Sequence, residues 1–203
     1  MLNLSPVSNG DASFGITLSG SGRYTNDAAV ALVSLILDGS SVARGTYTHA
    51  DFTPAQQAFL VKTTGVITVT GTAIENWRFD HFGSTVETTI SANNADPNDD
   101  GETNLLEFAT GQNPQANTRA AASLTSDLKF IYVRSVAAHS SGIAYVVQWS
   151  DTLAADSWSS VGVSEEIIAT AGNQETVRAV LPGQAGTRFA RLRVVSVAPG
   201  GGG

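Results

Sequence analysis

Cysteine is absent from all 203 residues, so no disulfide framework exists and the redox compartment is left open. Histidine is nearly absent as well. His49, His81 and His139 fall in three separate segments with no shared spacing, which excludes a His/Cys zinc cluster. Bases are scarce, with 11 Lys and Arg against 18 Asp and Glu. The resulting net charge of −7 and pI near 4.8 argue against nucleic acid or an anionic membrane as partner. No apolar run reaches the roughly 18 residues a membrane-spanning helix needs, the longest being residues 28–37, interrupted by Ser34. The first residues, Met-Leu-Asn-Leu-Ser-Pro, lack the basic and apolar regions of a signal peptide, which read alone implies a cytoplasmic or truncated chain. Nucleophile elbows, glycine-rich phosphate loops and H-E-x-x-H motifs are all missing. The carboxylate pair Glu165-Glu166 is adjacent on an expected strand, so its members point to opposite faces and cannot share one bond. No catalytic constellation emerges, and the chain reads as a non-enzyme.

What is present is concentrated. Residues 1–72 hold four acids and three bases, and residues 119–203 hold six acids and seven bases. Between them, residues 73–118 hold eight acids and one base, Arg78. Five of those acids lie in the dozen residues 96–107, Asp-Pro-Asn-Asp-Asp-Gly-Glu-Thr-Asn-Leu-Leu-Glu. Such a cluster repels itself unless a cation sits among it, although an acidic extended spacer would share the composition. The spacing favours the cation. The stretch matches the EF-hand calcium loop D-x-[DN]-x-[DN]-G-x5-E at every specified position. Calcium takes six to eight hard oxygens, and alternate residues of a tight loop point theirs inward. Gly101 permits the turn at the sixth position, and Glu107 falls on the first turn of an expected helix, where both its oxygens can be offered.

Around this loop the sequence reads as β structure with short helices. Hydrophobic residues make up 42% and charged residues 14%, the balance of a globular chain, and the 20 glycines imply many turns. An N-terminal β-rich domain is expected over 1–72: strands at 14–18 and 29–37, a turn at Asp38-Gly39 with 42–47 pairing back, and a strand at 66–70. Thr53-Pro54-Ala55-Gln56 carries a capping box with proline at the first helical position, predicting a short helix over 54–60. His49 and Asp51 read as a solvated turn. Residues 73–83 form a helix whose stripe Ile74, Trp77 and Phe82 buries against a neighbouring domain, with Gly83 as its stop and His81 on its surface. Residues 84–94 are a polar connector, so the incoming helix of an ordinary EF-hand does not reach the loop. No second loop pairs with it, and the site reads as a clamp and not an opening sensor. Thr103 is an expected N-cap, 104–110 a helix anchored by Leu105 and Phe108, and Gly111 its stop. Residues 115–126 read as linker. Five or more antiparallel strands between 128 and 197 then suggest a C-terminal β-sandwich over 119–198, with Trp149 and Trp158 in its core or at its rim and a flexible tail at 199–203.

Trp77-x4-Phe82-Gly83, the loop 95–101, Thr103-Asn104-Leu105-Leu106-Glu107-Phe108-Ala109, Gly111 and Asn113-Pro114 together resemble the C-terminal region of large secreted bacterial proteins with autotransporter-associated β-strand repeats. The loop itself is similar to thrombospondin type 3 and dockerin-type calcium repeats. The resemblance implies a β-helix or sandwich end, a calcium-binding joint and a fibronectin-like cap, all outside the cell. It also implies calcium ligands at Asp96, Asn98, Asp100, the Glu102 carbonyl, Asn104 and Glu107. The chain departs from that pattern at Asp99, where such loops often have glycine, and in lacking an export signal and a long repeat array. Having one loop, it gives no support for cohesin binding.

The expected function is therefore a non-enzymatic module in which one calcium ion rigidifies an interdomain joint. Two alternatives stay open: a carbohydrate-binding or adhesive sandwich using Trp149 or Trp158, with a polysaccharide or cell-surface partner, and the accessory tail of a β-helical polysaccharide-degrading enzyme.

Overall fold

The computed structural model describes residues 15–25, 27–61, 64–183 and 187–196. It is mainly β, in several small sheets joined by short helices. The chain divides into two compact units, Met1–Asn76 and Trp77–Gly203.

In the first unit six short strands form two three-stranded sheets. They are β1 (Ile16–Leu18), β2 (Val30–Leu32), β3 (Leu35–Leu37), β4 (Ser40–Ser41), β5 (Gly45–Tyr47) and β6 (Ile67–Val69). β1 lies parallel to β3 and β2 parallel to β6, and Tyr24 meets Leu60 in a parallel bridge. The chain thus passes the same three stations twice, stacking Ile16 beside Leu35, Tyr24 beside Leu60 and Val30 beside Ile67. Inward residues of both passes, with Phe52, fill one core, each fully buried aliphatic side chain contributing about 1.5–3 kcal/mol.

The apolar run expected as one strand is two, in different sheets. Leu32 and Leu35 are three residues apart, so a straight strand would send them to opposite faces. A break at Val33-Ser34 lets both enter the same core, each 0% exposed, and the Ser34 carbonyl accepts from the Ile16 amide at 2.9 Å. The hairpin at Asp38-Gly39 forms as expected, with φ of 50° and 79° and β4 paired to β3. β5, however, crosses to the other sheet and pairs with β6. The helix α1 (Pro54–Gln57) is shorter than expected but has its capping box, Gln56 Oε1 accepting from the Thr53 amide at 3.1 Å. The segment at His49 is an exposed turn in which the Asp51 carboxylate caps Thr48. The expected strand residue Phe14 and the tail 199–203 lie outside the described residues.

The helix α2 (Ala73–Phe82) carries the chain into the second unit. There follow α3 (Asn104–Thr110), β7 (Ala122–Leu124), β8 (Lys129–Ser135), α4 (Val136–Ser140), β9 (Ile143–Ser150), β10 (Ser164–Ala171), β11 (Gln174–Val180) and β12 (Phe189–Ser196). All pairings in this unit are antiparallel, in a sheet of order β10-β11-β8-β7 and a ribbon β12-β9. Phe130, Tyr132, Val177 and Ala179 from the sheet share a core with Val147 of the ribbon, flanked by Tyr145, Trp149 and Leu192. Four strands therefore face two, and the uncovered side falls at β10, every residue of which is exposed. Part of the expected linker is ordered structure: β7 adds an edge strand to the sheet.

Candidate metal centre

The loop is shaped by its own backbone donors. Gly101 N–H donates to Asp96 Oδ2 at 2.9 Å, and Asp100 N–H reaches Asp96 Oδ1 and Asn98 Oδ1, both at 3.2 Å. Glu102 N–H donates to Asp100 Oδ1 at 2.9 Å. These bonds curl residues 96–102 around their own side chains. Two residues take positive φ, Gly101 at 89° and Asp99 at 57°. The second explains why glycine suits that position in related loops. Aspartate tolerates this region better than most residues, at some conformational cost.

Asp100, Asn104 and Glu107 are buried, at 3%, 1% and 0% exposure. α3 supplies the last two from its first turn, and it stops at Gly111, which takes φ 73°. Phe108 fixes the helix by packing edge-on to Trp77 at 5.8 Å. The Tyr145 hydroxyl of β9 also donates to the Ala109 carbonyl at 2.6 Å. The Asn98 amide is the meeting point of the cluster. Its Nδ2 donates to Asp100 Oδ2 at 3.1 Å, Glu107 Oε1 at 3.2 Å and the Ala116 carbonyl at 2.8 Å. A single weakly positive NH2 group thus draws in two carboxylates and a carbonyl, the donor set a hard cation would attract.

Two buried oxygens in this cluster have no hydrogen-bond partner: Asn104 Oδ1 and Glu107 Oε2. An unsatisfied buried acceptor costs about 1–3 kcal/mol, more when charged. Among the described residues none of the loop's five acids takes part in an ion pair. Arg119 stands on the outer side of Gly101, its guanidinium 3.4 Å from where a Cβ would project. Burial pushes the Glu107 carboxyl up to about 7, and the charges of Asp100, Glu102 and Asp96 add to the rise while the Asn98 amide opposes it. Among the described residues no three His, Cys, Asp or Glu side chains form a metal-ligating group by themselves. The convergence here runs through the two asparagines as well as the acids.

Of the six expected ligand residues, Asp96, Asn98, Asp100 and Glu107 are joined by direct or shared hydrogen bonds. Asn104 is held otherwise. Its Nδ2 donates to the Ile90 and Ala92 carbonyls at 3.0 and 2.8 Å, which leaves Oδ1 as the orphan. The Glu102 side chain turns away, accepting from Gln112 Nε2 at 2.6 Å and from the Ala120 amide at 2.9 Å. It clasps residues 112–120 over the loop, consistent with only its carbonyl being offered inward.

The connector is held by a residue outside the expected apolar stripe of α2. Arg78 is the buried residue of α2, at 4% exposure, while the expected stripe Ile74, Trp77 and Phe82 is half-buried. Its guanidinium donates to the Ser91 and Thr85 carbonyls, to Asn93 Oδ1 and to Glu87 Oε1, each at 3.0 Å. This staple folds residues 84–94 into successive turns that end on α3, where Leu105 N–H donates to the Asn93 carbonyl at 3.0 Å. Connector and exit helix thereby replace the missing incoming helix. The one available signal was the solitary base among eight acids.

No family model, no curated protein and no solved structure matches this chain. Among the described residues no helix is long and apolar enough to cross a membrane.

Proposed function

We propose that this chain is a non-enzymatic, calcium-binding structural module, with the ion held by Asp96, Asn98, Asp100, the Glu102 carbonyl, Asn104 and Glu107. The observation that carries the reading is the pair of orphaned buried oxygens, Asn104 Oδ1 and Glu107 Oε2, inside a cluster of carboxylates that raise the Glu107 carboxyl together with burial. A divalent ion supplies the positive charge and the missing partners together. Hard oxygens in a tight loop suit calcium better than a softer metal. Ligation from 96–102 on one side and the first turn of α3 on the other would lock the loop, the Arg78-stapled connector and the sandwich edge into one body. Affinity in the range of roughly 10⁻⁴–10⁻³ M is expected, as for extracellular modules. The parallel stacking of β1 on β3 and β2 on β6 supports a β-helix end for the first unit. The four-on-two antiparallel strands support a fibronectin-like cap, and an extracellular or cell-surface setting follows from the same resemblance. The test is a thermal melt in chelator against millimolar calcium: an upward shift supports the reading, and identical curves reject it.

The carbohydrate-binding alternative has less support. Trp149 packs beside the sandwich core, its indole N–H donates to the Val161 carbonyl at 3.0 Å, and Arg188 covers its ring at 4.2 Å. Trp158 is half-buried, with Arg191 over its face at 4.2 Å. Both rings are thus already stacked by guanidinium groups that a sugar would have to displace.

A further inference from the structure

Two sheet edges of the second unit are open and chemically complementary. Among the described residues β12 pairs only with β9, and its other edge leaves the backbone groups of an eight-residue strand without partners. That edge borders a groove of about 400 Å³ walled by Leu105 and Leu106 of α3 and by Leu192 and Val194 of β12, with Arg191 and Arg193 at its rim. Both arginines are exposed. Arg191 rests on Trp158 and Gln148, and among the described residues Arg193 makes no ion pair. At the edge of the four-stranded sheet β10, Ser-Glu-Glu-Ile-Ile-Ala-Thr-Ala, pairs among the described residues only with β11 and is exposed along its whole length. Ile167 and Ile168 are 51% and 42% exposed at an irregularity in the ladder, and the exposed Glu166 is ion-paired with Arg178, whose Nε donates to it at 2.7 Å. Long edge strands in soluble proteins are ordinarily blunted by charges (lysine above all), proline, bulges or cover, and β10 has its glutamates and one irregularity. Neither edge contains lysine or proline. One edge is acidic and apolar, the other basic and grooved.

We infer that the molecule associates head to tail: β10 of one copy adds to the free edge of β12 of the next, Ile167 entering the groove and Glu166 facing Arg193. Strand addition satisfies the idle backbone groups and buries apolar surface, while the side chains select the partner. Because the two surfaces differ, the contact is heterologous and continues past a dimer. An antiparallel register that sets Glu166 opposite Arg193 also sets Ile167 opposite Leu192, apolar against apolar.

The absence of cysteine permits a direct test. Directly opposed residues in such a pair have Cα atoms about 4.5–5.5 Å apart, within disulfide reach. A mixture of Glu166→Cys and Arg193→Cys chains should yield disulfide-linked mixed dimers under mild oxidation, in excess over either variant alone. Sedimentation of the unmodified protein from micromolar to millimolar concentration should show mass rising beyond the dimer. Arg193→Glu should return it to monomer, and Glu166→Arg combined with Arg193→Glu should restore assembly. Both variants alter exposed residues, and circular dichroism checks that each is folded. A mass that stays at one copy, or that stops at two, overturns the inference. So does mixed cross-linking no greater than that of the single variants, or a charge reversal that leaves the mass unchanged.

Discussion

Replacing Glu107 with glutamine removes one charge and almost no volume, and it should act in opposite directions with and without calcium. In the ion-free protein Glu107 is buried and its carboxyl is pushed up to about 7 from an ordinary value of 4.5. Each unit of such a shift corresponds to about 1.36 kcal/mol, so ionising Glu107 inside the fold costs on the order of 3 kcal/mol. The sign follows from the native state holding the proton more tightly than the unfolded chain. Below the unfolded value both states are protonated and nothing is lost. Between 4.5 and about 7 the ion-free fold loses stability as pH rises, and above that window the loss is complete. Glutamine cannot ionise. Glu107→Gln in chelator should therefore match the unmodified protein in mild acid and exceed it at about pH 8, where a difference of about 3 kcal/mol raises Tm by roughly 6–12 °C. Calcium should reverse the ranking. Bound to the ionised carboxylate as proposed, it would stabilise by about 2.7 kcal/mol at a hundredfold excess over Kd, and the variant should gain little of this. The assay is scanning calorimetry at both pH values with chelator or millimolar calcium. A variant no more stable than its parent in alkaline chelator, or one retaining the full calcium shift, would refute the reasoning.

Other substitutions probe the parts that hold the loop. Arg78→Met should cost about 3 kcal/mol in urea denaturation, since it strips donors from two carbonyls and Asn93 in a buried site, and lysine should recover only a fraction of that. Asn104→Asp keeps an oxygen for the ion but loses the donors to the Ile90 and Ala92 carbonyls. It should destabilise the protein in chelator by about 1–3 kcal/mol, with part of the loss recovered in calcium. Gly101→Ala forces a side chain into φ 89°, and its melt should fall by the equivalent of about 1–2 kcal/mol in either buffer. Tyr145→Phe deletes the bond to the Ala109 carbonyl and should cost about 1 kcal/mol, read from the same denaturation curves.

Much of the local structure was legible because it rests on short-range chemistry. Asp38-Gly39, the Thr53–Gln56 box, the helix after Thr103 with its stop at Gly111, and the alternating strands after Leu128 are each specified by a few neighbouring residues. What escaped depends on distance. The apolar run 29–37 gives no local sign that two sheets will divide it, since the choice is made by which strands arrive beside it. Arg78 reads as a surface charge on an amphipathic helix until the carbonyls of residues 85 and 91 turn toward it. Residues 115–126 look like linker because Gln, Ala, Asn and Thr have no period, yet the Asn98 amide and the Glu102 carboxylate fasten Ala116 and Ala120 over the loop. The candidate site was legible as spacing alone. The orphaned oxygens that give the spacing weight belong to the folded chain.

Isothermal titration of calcium into the chelator-treated protein at neutral pH tests the central claim most directly. The account predicts a binding isotherm with one ion per chain, a dissociation constant of roughly 10⁻⁴–10⁻³ M, and its loss in Glu107→Gln. No heat at saturating calcium, confirmed at a second temperature, would contradict it.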